Sequence, residues 1–274
     1  MKKLAAALII LFVLLTIAGC VDVKTKIKVN KDGSGTVEET VLMSTEMIQM
    51  LKQFVSGFAD DSTNVEEFKL YNEEDIKKRA ADFGDGVQFS SGKELQEDGR
   101  EGYVAVYTFE DLNKLRFDQN PGSKMPEQMA DAEVKEKEYI TFSFSRNNDS
   151  EIIISMPPVS KEKEEDEEKD EEVDSSSDSL DTQDLSRLKF LMKDFNISLV
   201  IEADGYIIET NANYVDRSSV TLFDLNFNLL LDEPERLEAL KKINPNDMQE
   251  LKEVIKDVQG IRIETNDPVK IRFR

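Results

Sequence analysis

VDVKTKIKVNKDGSGTVEETVLM, residues 21–43, holds two alternating runs around one turn. Val21, Val23, Thr25, Ile27 and Val29 take every second position, with Asp and Lys between them. A strand sends successive side chains to opposite faces, so this is the pattern of a half-buried strand. Val37, Glu39, Val41 and Met43 resume the period after Lys31-Asp32-Gly33-Ser34-Gly35. Two glycines within five residues allow the positive φ that a tight return needs. The stretch predicts an antiparallel hairpin.

Downstream, Ser44 or Thr45 is placed to cap a helix that carries Met47, Ile48, Leu51, Phe54, Val55 and Phe58 as one apolar stripe. Asn72, followed by Glu73, Glu74 and Asp75, opens a second helix through Phe83, with its acidic first turn favourable to the helix dipole. Strands are expected at 87–91, 102–109, 138–145 and 151–156, the last two joined at Asn147-Asn148-Asp149. Residues 119–137 contain two prolines and no clean period, and read as loop or weak helix.

In the last third, 185–194 reads as a helix, and strands are expected at 197–202 and 206–211 on either side of Asp204-Gly205. A further strand is expected at 219–224. Asp232 with Pro234, and Asn244 with Pro245, each start a helix, the second running to about residue 257 and stopped by Gly260. Strands at 261–264 and 269–273 around Asn266-Asp267-Pro268 predict a closing hairpin. Strands and helices do not alternate regularly, which excludes a doubly wound parallel sheet. The fold class expected is α+β: an antiparallel β-sheet packed with amphipathic helices.

A run from 161 to 184, KEKEEDEEKDEEVDSSSDSLDTQD, interrupts that domain with 13 acidic and 3 basic residues and no aromatic one. Such a segment has too little apolar surface to order itself and is expected to be a disordered, solvated insertion. Like charge keeps it off an anionic leaflet. The organisation is then a leader at 1–19, a first part of the domain at 20–160, the acidic insertion at 161–184 and a second part at 185–274.

Upstream of the hairpin the sequence is MKKLAAALIILFVLLTIAGC. Lys2 and Lys3 precede 16 uncharged residues, 4–19, which is short of the ~20 that span a bilayer and suits a signal-peptide core. Ile17-Ala18-Gly19-Cys20 resembles the lipobox of bacterial lipoproteins. That resemblance implies cleavage between Gly19 and Cys20 and acylation, palmitate-type chains included, of the only cysteine in the chain. Two or three acyl chains make a durable anchor where one binds marginally. The partner so implied is a membrane, reached through Cys20. Localisation is the cell envelope; Val21 rather than Asp after the cysteine fits the periplasmic face of an outer membrane where two membranes exist.

Lipobox, strand, KDGSGTV turn, strand and amphipathic helix together resemble the LppM-like (DUF3153) family of bacterial lipoproteins over 18–43. The stretch 197–223 is similar to the same family at Gly205, Asn211 and Val220. The resemblance implies an antiparallel α+β domain related to lipid-carrying folds, and hence a lipid or other apolar envelope ligand.

The composition excludes several chemistries. The 274 residues carry 57 acidic and 35 basic side chains, a net charge of −22, which argues against a nucleic-acid partner. With no His and one Cys, neither a Cys/His zinc site nor a His-based triad can be built. Carboxylates adjacent in sequence, Glu38-Glu39, Glu66-Glu67 and Glu73-Glu74, diverge on strands and helices alike and read as solvated charge, not as the paired acids of a glycosidase. Gly84-Asp85-Gly86 precedes a strand and lacks the helix and lysine of a phosphate loop; the DGSG of 32–35 is a hairpin turn. Asp174, Asp178, Asp181 and Asp184 lack the glycine and terminal glutamate of a calcium loop. Met47, Met50, Leu51, Phe54, Phe58, Tyr103, Tyr107, Phe142 and Phe144 suit either a core or the lining of an acyl-chain cavity. The reading is a lipid-anchored, non-enzymatic module without catalytic, cofactor or metal residues. Its partner is a lipid ligand or, alternatively, an envelope protein that it serves as scaffold or adaptor; the remote third alternative is a metal-free hydrolase working through carboxylates.

Overall fold

The computed structural model describes residues 21–49, 52, 69–118, 139–157, 195–226, 229, 258 and 260–274. Gly19, Cys20, the acidic run, the stripe positions Leu51, Phe54, Val55 and Phe58, and the helices expected at 185–194 and 232–257 lie outside the described residues, apart from the isolated position 258 beyond the last of them.

The 21–43 hairpin forms as its alternation demands. Strand β1 (Val21–Val29) pairs antiparallel with β2 (Gly35–Ser44), from Val21 opposite Met43 to Val29 opposite Gly35. Asp32 turns the corner by accepting the backbone N–H and the hydroxyl of Ser34. Gly33, at φ 88°, lies under the Phe144 ring, where an added Cβ would sit 2.5 Å from a ring carbon. Both its conformation and its neighbour require glycine.

Ser44 caps the helical residues 45–49 by accepting the Met47 N–H. Asn72 does the same for Glu74 at the start of α1 (Glu73–Lys78), which tightens into a 3-10 segment, Arg79–Phe83. Strands β3 (Gln88–Glu97) and β4 (Arg100–Phe109) follow as a hairpin. Next come β5 (Arg116–Asp118), β6 (Tyr139–Arg146) and β7 (Ser150–Ser155). The remaining strands are β8 (Phe195–Ala203), β9 (Ile207–Thr210), β10 (Val215–Asp216), β11 (Ser219–Asn226), β12 (Ile261–Ile263) and β13 (Val269–Phe273).

These strands make two sheets. The larger has eight strands in the order β10-β11-β8-β1-β2-β4-β3, with β12 also paired to β11; the smaller has the order β5-β6-β7-β13-β9. One pair, β1 with β8, is parallel. Strands account for 60% of the described residues and helical turns for 14%. The expected sheet packed with helices is therefore corrected: the described chain is mainly β, and two sheets share one core. Alternation had shown that each strand buries a face without showing what covers it. On the larger sheet, Ile27, Val37, Tyr107, Leu199 and Ile201 are fully or almost fully buried. On the smaller, Ile152, Ile154, Ile271 and Phe273 are equally enclosed, and both sets belong to a single apolar cluster. Each such side chain contributes ~1.5–3 kcal/mol relative to an exposed one.

Two expected turns are crossings between the sheets. Asp204-Gly205 separates β8 of the larger sheet from β9 of the smaller. The expected closing hairpin is likewise absent, because β12 pairs with β11 while β13 lies between β7 and β9. At the first crossing the Asp204 N–H donates to Val29 O, and Tyr206 and Arg274 exchange backbone hydrogen bonds of 2.9 and 3.1 Å.

Candidate functional site

The cysteine that the sequence reading expects to be lipidated sets the first constraint. Cys20 lies outside the described residues, and the strand next to it begins at Val21. That strand sits between β2 and β8 in the larger sheet. Adjacent Cα atoms are 3.8 Å apart, so whatever Cys20 carries is attached directly to a central strand.

The core holds an unexpected charged group. Alternation on β2 turns Val37, Glu39, Val41 and Met43 toward the core, and Glu39 has no exposure. Arg79, at the end of α1, reaches down to it: Nη2 lies 2.8 Å from Glu39 Oε1. The same guanidinium donates through Nη1 to the Tyr103 hydroxyl, which itself donates to Glu39 Oε1 at 3.0 Å. Four residues further along β4 on the same face, the Tyr107 hydroxyl donates to the Ile76 carbonyl of α1 at 3.1 Å. These bonds latch α1 onto the sheet.

Electrostatics keep the cluster in one protonation state. Burial, the largest single influence, works against the charge on Arg79, but Glu39 together with Tyr103, Tyr107 and Asp82 outweighs it and holds the guanidinium above its usual range. Burial first, and Glu39 second, push the Tyr103 phenol well above the usual tyrosine value, and the same two causes raise Tyr107. Both phenols stay protonated donors at physiological pH. The Glu38-Glu39 reading is thereby half corrected: Glu38 is exposed and Glu39 is not. The missed signal was a Glu in apolar phase on β2 together with an Arg on the Ile76–Phe83 stripe of the helix.

A second buried carboxylate organises the other crossings. Glu264, 2% exposed, accepts from the N–H groups of Asn213, Thr265 and Asn266 and from the side-chain amides of Asn213 and Asn266, all at 2.6–3.0 Å. Beside it Asn211 imitates a strand partner: its Oδ1 accepts the Lys270 N–H and its Nδ2 donates to Pro268 O. Gly205 and Asn211, singled out by the resemblance, are thus crossing residues, and Val220 is a fully buried core residue.

The remaining sequence candidates fall into place around these groups. Glu73 is exposed and pairs with Lys77 at 2.6 Å, while Glu66 and Glu67 lie outside the described residues. Gly84 and Gly86 take positive φ in the turn before β3. Tyr103, Tyr107 and Phe142 are no more than 5% exposed and pack in the shared core, as Phe144 does from its edge. Among the described residues, no three acidic side chains converge as metal ligands do, and no helix is long and apolar enough to cross a membrane. The four aspartates of the acidic run lie outside the described residues.

No protein-family model and no curated protein matches the chain. Among solved structures, it is similar to the folded domain of the Mycobacterium tuberculosis LppM protein, determined by NMR. The likeness covers 94% of this chain and 91% of that one, at 12% identity and a TM-score of 0.32. That protein bears the name of the family that the sequence resembles. A likeness at this level assigns neither family nor activity.

Proposed function

We propose that the chain is an exported lipoprotein, cleaved between Gly19 and Cys20 and held to an envelope membrane by acyl chains on Cys20. Its β-rich body is a non-catalytic binding module that works as an adaptor in an envelope protein assembly. The start of a central strand at Val21 carries this reading, because it couples the anchor rigidly to the body. Strand β1 rises ~3.3 Å per residue, which sets its far end about 26 Å from Val21, the residue next to the anchor. At that far end Tyr206 is 78% exposed, and Ile208 nearby on the edge strand β9 is also exposed. Exposed apolar groups on a sheet edge suit a protein partner.

Replacing Cys20 by Ser tests the anchor. The variant is expected to leave the membrane fraction and to accumulate as unprocessed precursor; unchanged sedimentation at processed size refutes the reading. Photo-crosslinking from position 206 in intact cells tests the adaptor role, and a purely monomeric pattern counts against it.

A lipid-binding role is the second reading. The apolar stripe that starts at Met47 and Ile48 leaves β2 beside the Val21 end, where an acyl chain drawn from the bilayer first meets the body. Native mass spectrometry of the anchor-free protein separates the two readings: co-purified lipid supports this one, and a clean apo mass with no lipid uptake excludes it.

A further inference from the structure

We propose that the border strand β9 is a pairing edge: the protein partner adds an extended, largely uncharged strand along Tyr206–Thr210. The inference rests on the adaptor reading and names the form of the partner. Four large apolar side chains are exposed among the described residues, and three of them, Tyr206, Ile208 and Val215, fall within ten positions. Strand β9 is a border of the smaller sheet and β10 a border of the larger, and only residues 211–214 join them. The exposed groups thus line one side of the sandwich. Tyr206 stands at the end of β1 away from Val21, where the Asp204 N–H meets Val29 O.

The backbone sets the form of what this border accepts. Tyr206 and Arg274 bond to each other through both N–H and C=O, so Tyr206 is fully paired toward β13. In an antiparallel pair the next residue turns its N–H and C=O the other way. Ile207, opposite Phe273, therefore aims both groups at the open side, where the sheet has no further strand. Asn211 donates its N–H to Lys270 O, which places Thr210 in the same outward phase. Between them Ile208 is the extra residue of a bulge, with no residue opposite it on β13, and its side chain stands in solvent. Border strands are commonly guarded by lysine or proline. The border strand β3 carries the exposed Lys93, whereas β9 has neither residue. The charges beside β9 cancel, Glu209 with Arg272, and Arg274 with Asp149 at 3.6 Å. A charged strand finds no spare counter-ion there. A β-branched or aromatic one covers Tyr206 and Ile208 while its backbone bonds Ile207 and Thr210.

The test uses the full chain in intact cells, with the photo-crosslinker benzoylphenylalanine placed singly at Tyr206 and Thr210, and at Lys93 and Asn148 as controls away from this border. Trapped products are digested and sequenced. Tyr206 and Thr210 are expected to trap one segment of one partner, at partner sites about four residues apart, as strand pairing demands. Ile207→Pro removes the outward N–H, which a border strand tolerates, and Ile207→Ala keeps it. The yield from Tyr206 is expected to be about fivefold lower in the proline variant than in the alanine one, the weight of one hydrogen bond. Ile208→Lys, at an exposed position, guards the edge and is expected to lower the yield as well, which keeps the test decisive where Ile207→Pro fails to fold. Trapping that is indifferent to these variants, or that falls on scattered partner sites, overturns strand addition and leaves the adaptor role standing. Equal trapping from Lys93 or Asn148, or a product made of two copies of this chain, overturns the proposal too. A purely monomeric pattern at every position overturns the proposal and the adaptor reading together.

Discussion

Arg79 and Glu39 form an ion pair of 2.8 Å in which the carboxylate side chain is fully enclosed by protein. The two residues are 40 positions apart, one on a short helical element and one in mid-strand, and their pairing fixes how that element lies on the sheet.

Removing one partner strands the other charge in the core, which costs about 3–5 kcal/mol, whereas apolar replacement of both is far milder. Arg79→Ala is expected to lower stability by that amount in urea unfolding. Glu39→Leu combined with Arg79→Met is expected to recover most of the loss. Equal losses in the single and double variants refute the latch.

The buried phenols give a pH signature. Tyr103 and Tyr107 titrate above the ordinary tyrosine pKa when folded, so above pH ~10 the unfolded chain releases protons that the folded chain retains. Their contribution is complete below pH ~10 and is lost as pH climbs toward the folded values, at about 1.4 kcal/mol per pH unit for each phenol. Urea midpoints between pH 9 and 11 are expected to fall, and Tyr103→Phe to lessen the slope. Absorbance titration of the six tyrosines should show two delayed ionisations.

Gly205 is held at φ 150°, and a Cβ there would stand 2.1 Å from the Arg274 carbonyl oxygen. Gly205→Ala is expected to destabilise by at least the ~1–3 kcal/mol of a strained backbone, and to loosen the Tyr206–Arg274 bonds. Gly86→Ala is the control: its positive φ carries ~1–2 kcal/mol of strain, but nothing stands within 4 Å. Hydrogen exchange at Tyr206 and Arg274 should rise in the first variant alone.

Glu264 is predicted to be a keystone of the crossings. Glu264→Ala removes the acceptor of five hydrogen bonds around a buried site and is expected to cost about 3 kcal/mol, since hydrogen bonds to a charged group contribute more than neutral ones. The Asn213, Thr265 and Asn266 amides should then exchange rapidly, with little change at Val37 or Ile27.

Local pattern carried much of the chain. The hairpin of 21–43, the Ser44 and Asn72 caps and the core faces of β4, β6, β7 and β8 follow from alternation and capping chemistry, which depend on neighbours in sequence. Partner choice does not. Asp204-Gly205 and Asn266-Pro268 carry ordinary turn residues, and only the tertiary arrangement makes them crossings between sheets. Strand β3 runs on to Glu97 past the expected end at 91, because pairing with β4 outweighs the weak strand preference of Gly92, Lys93 and Glu94. Very short strands such as β5 and β10 have too few residues for any period to show. Glu39 was visible as a phase, and its burial became readable only with Arg79 in place.

The position of β13 bears on how the molecule matures. That strand, the last in the chain, lies second from one border of the smaller sheet and is bonded on both sides. Until residues 269–273 emerge, β7 and β9 have nothing between them and half the sandwich stays open. The smaller sheet is thus complete only when residues 269–273, more than a hundred positions from β7 in sequence, seat between β7 and β9, which makes its assembly a non-local and comparatively slow step of folding.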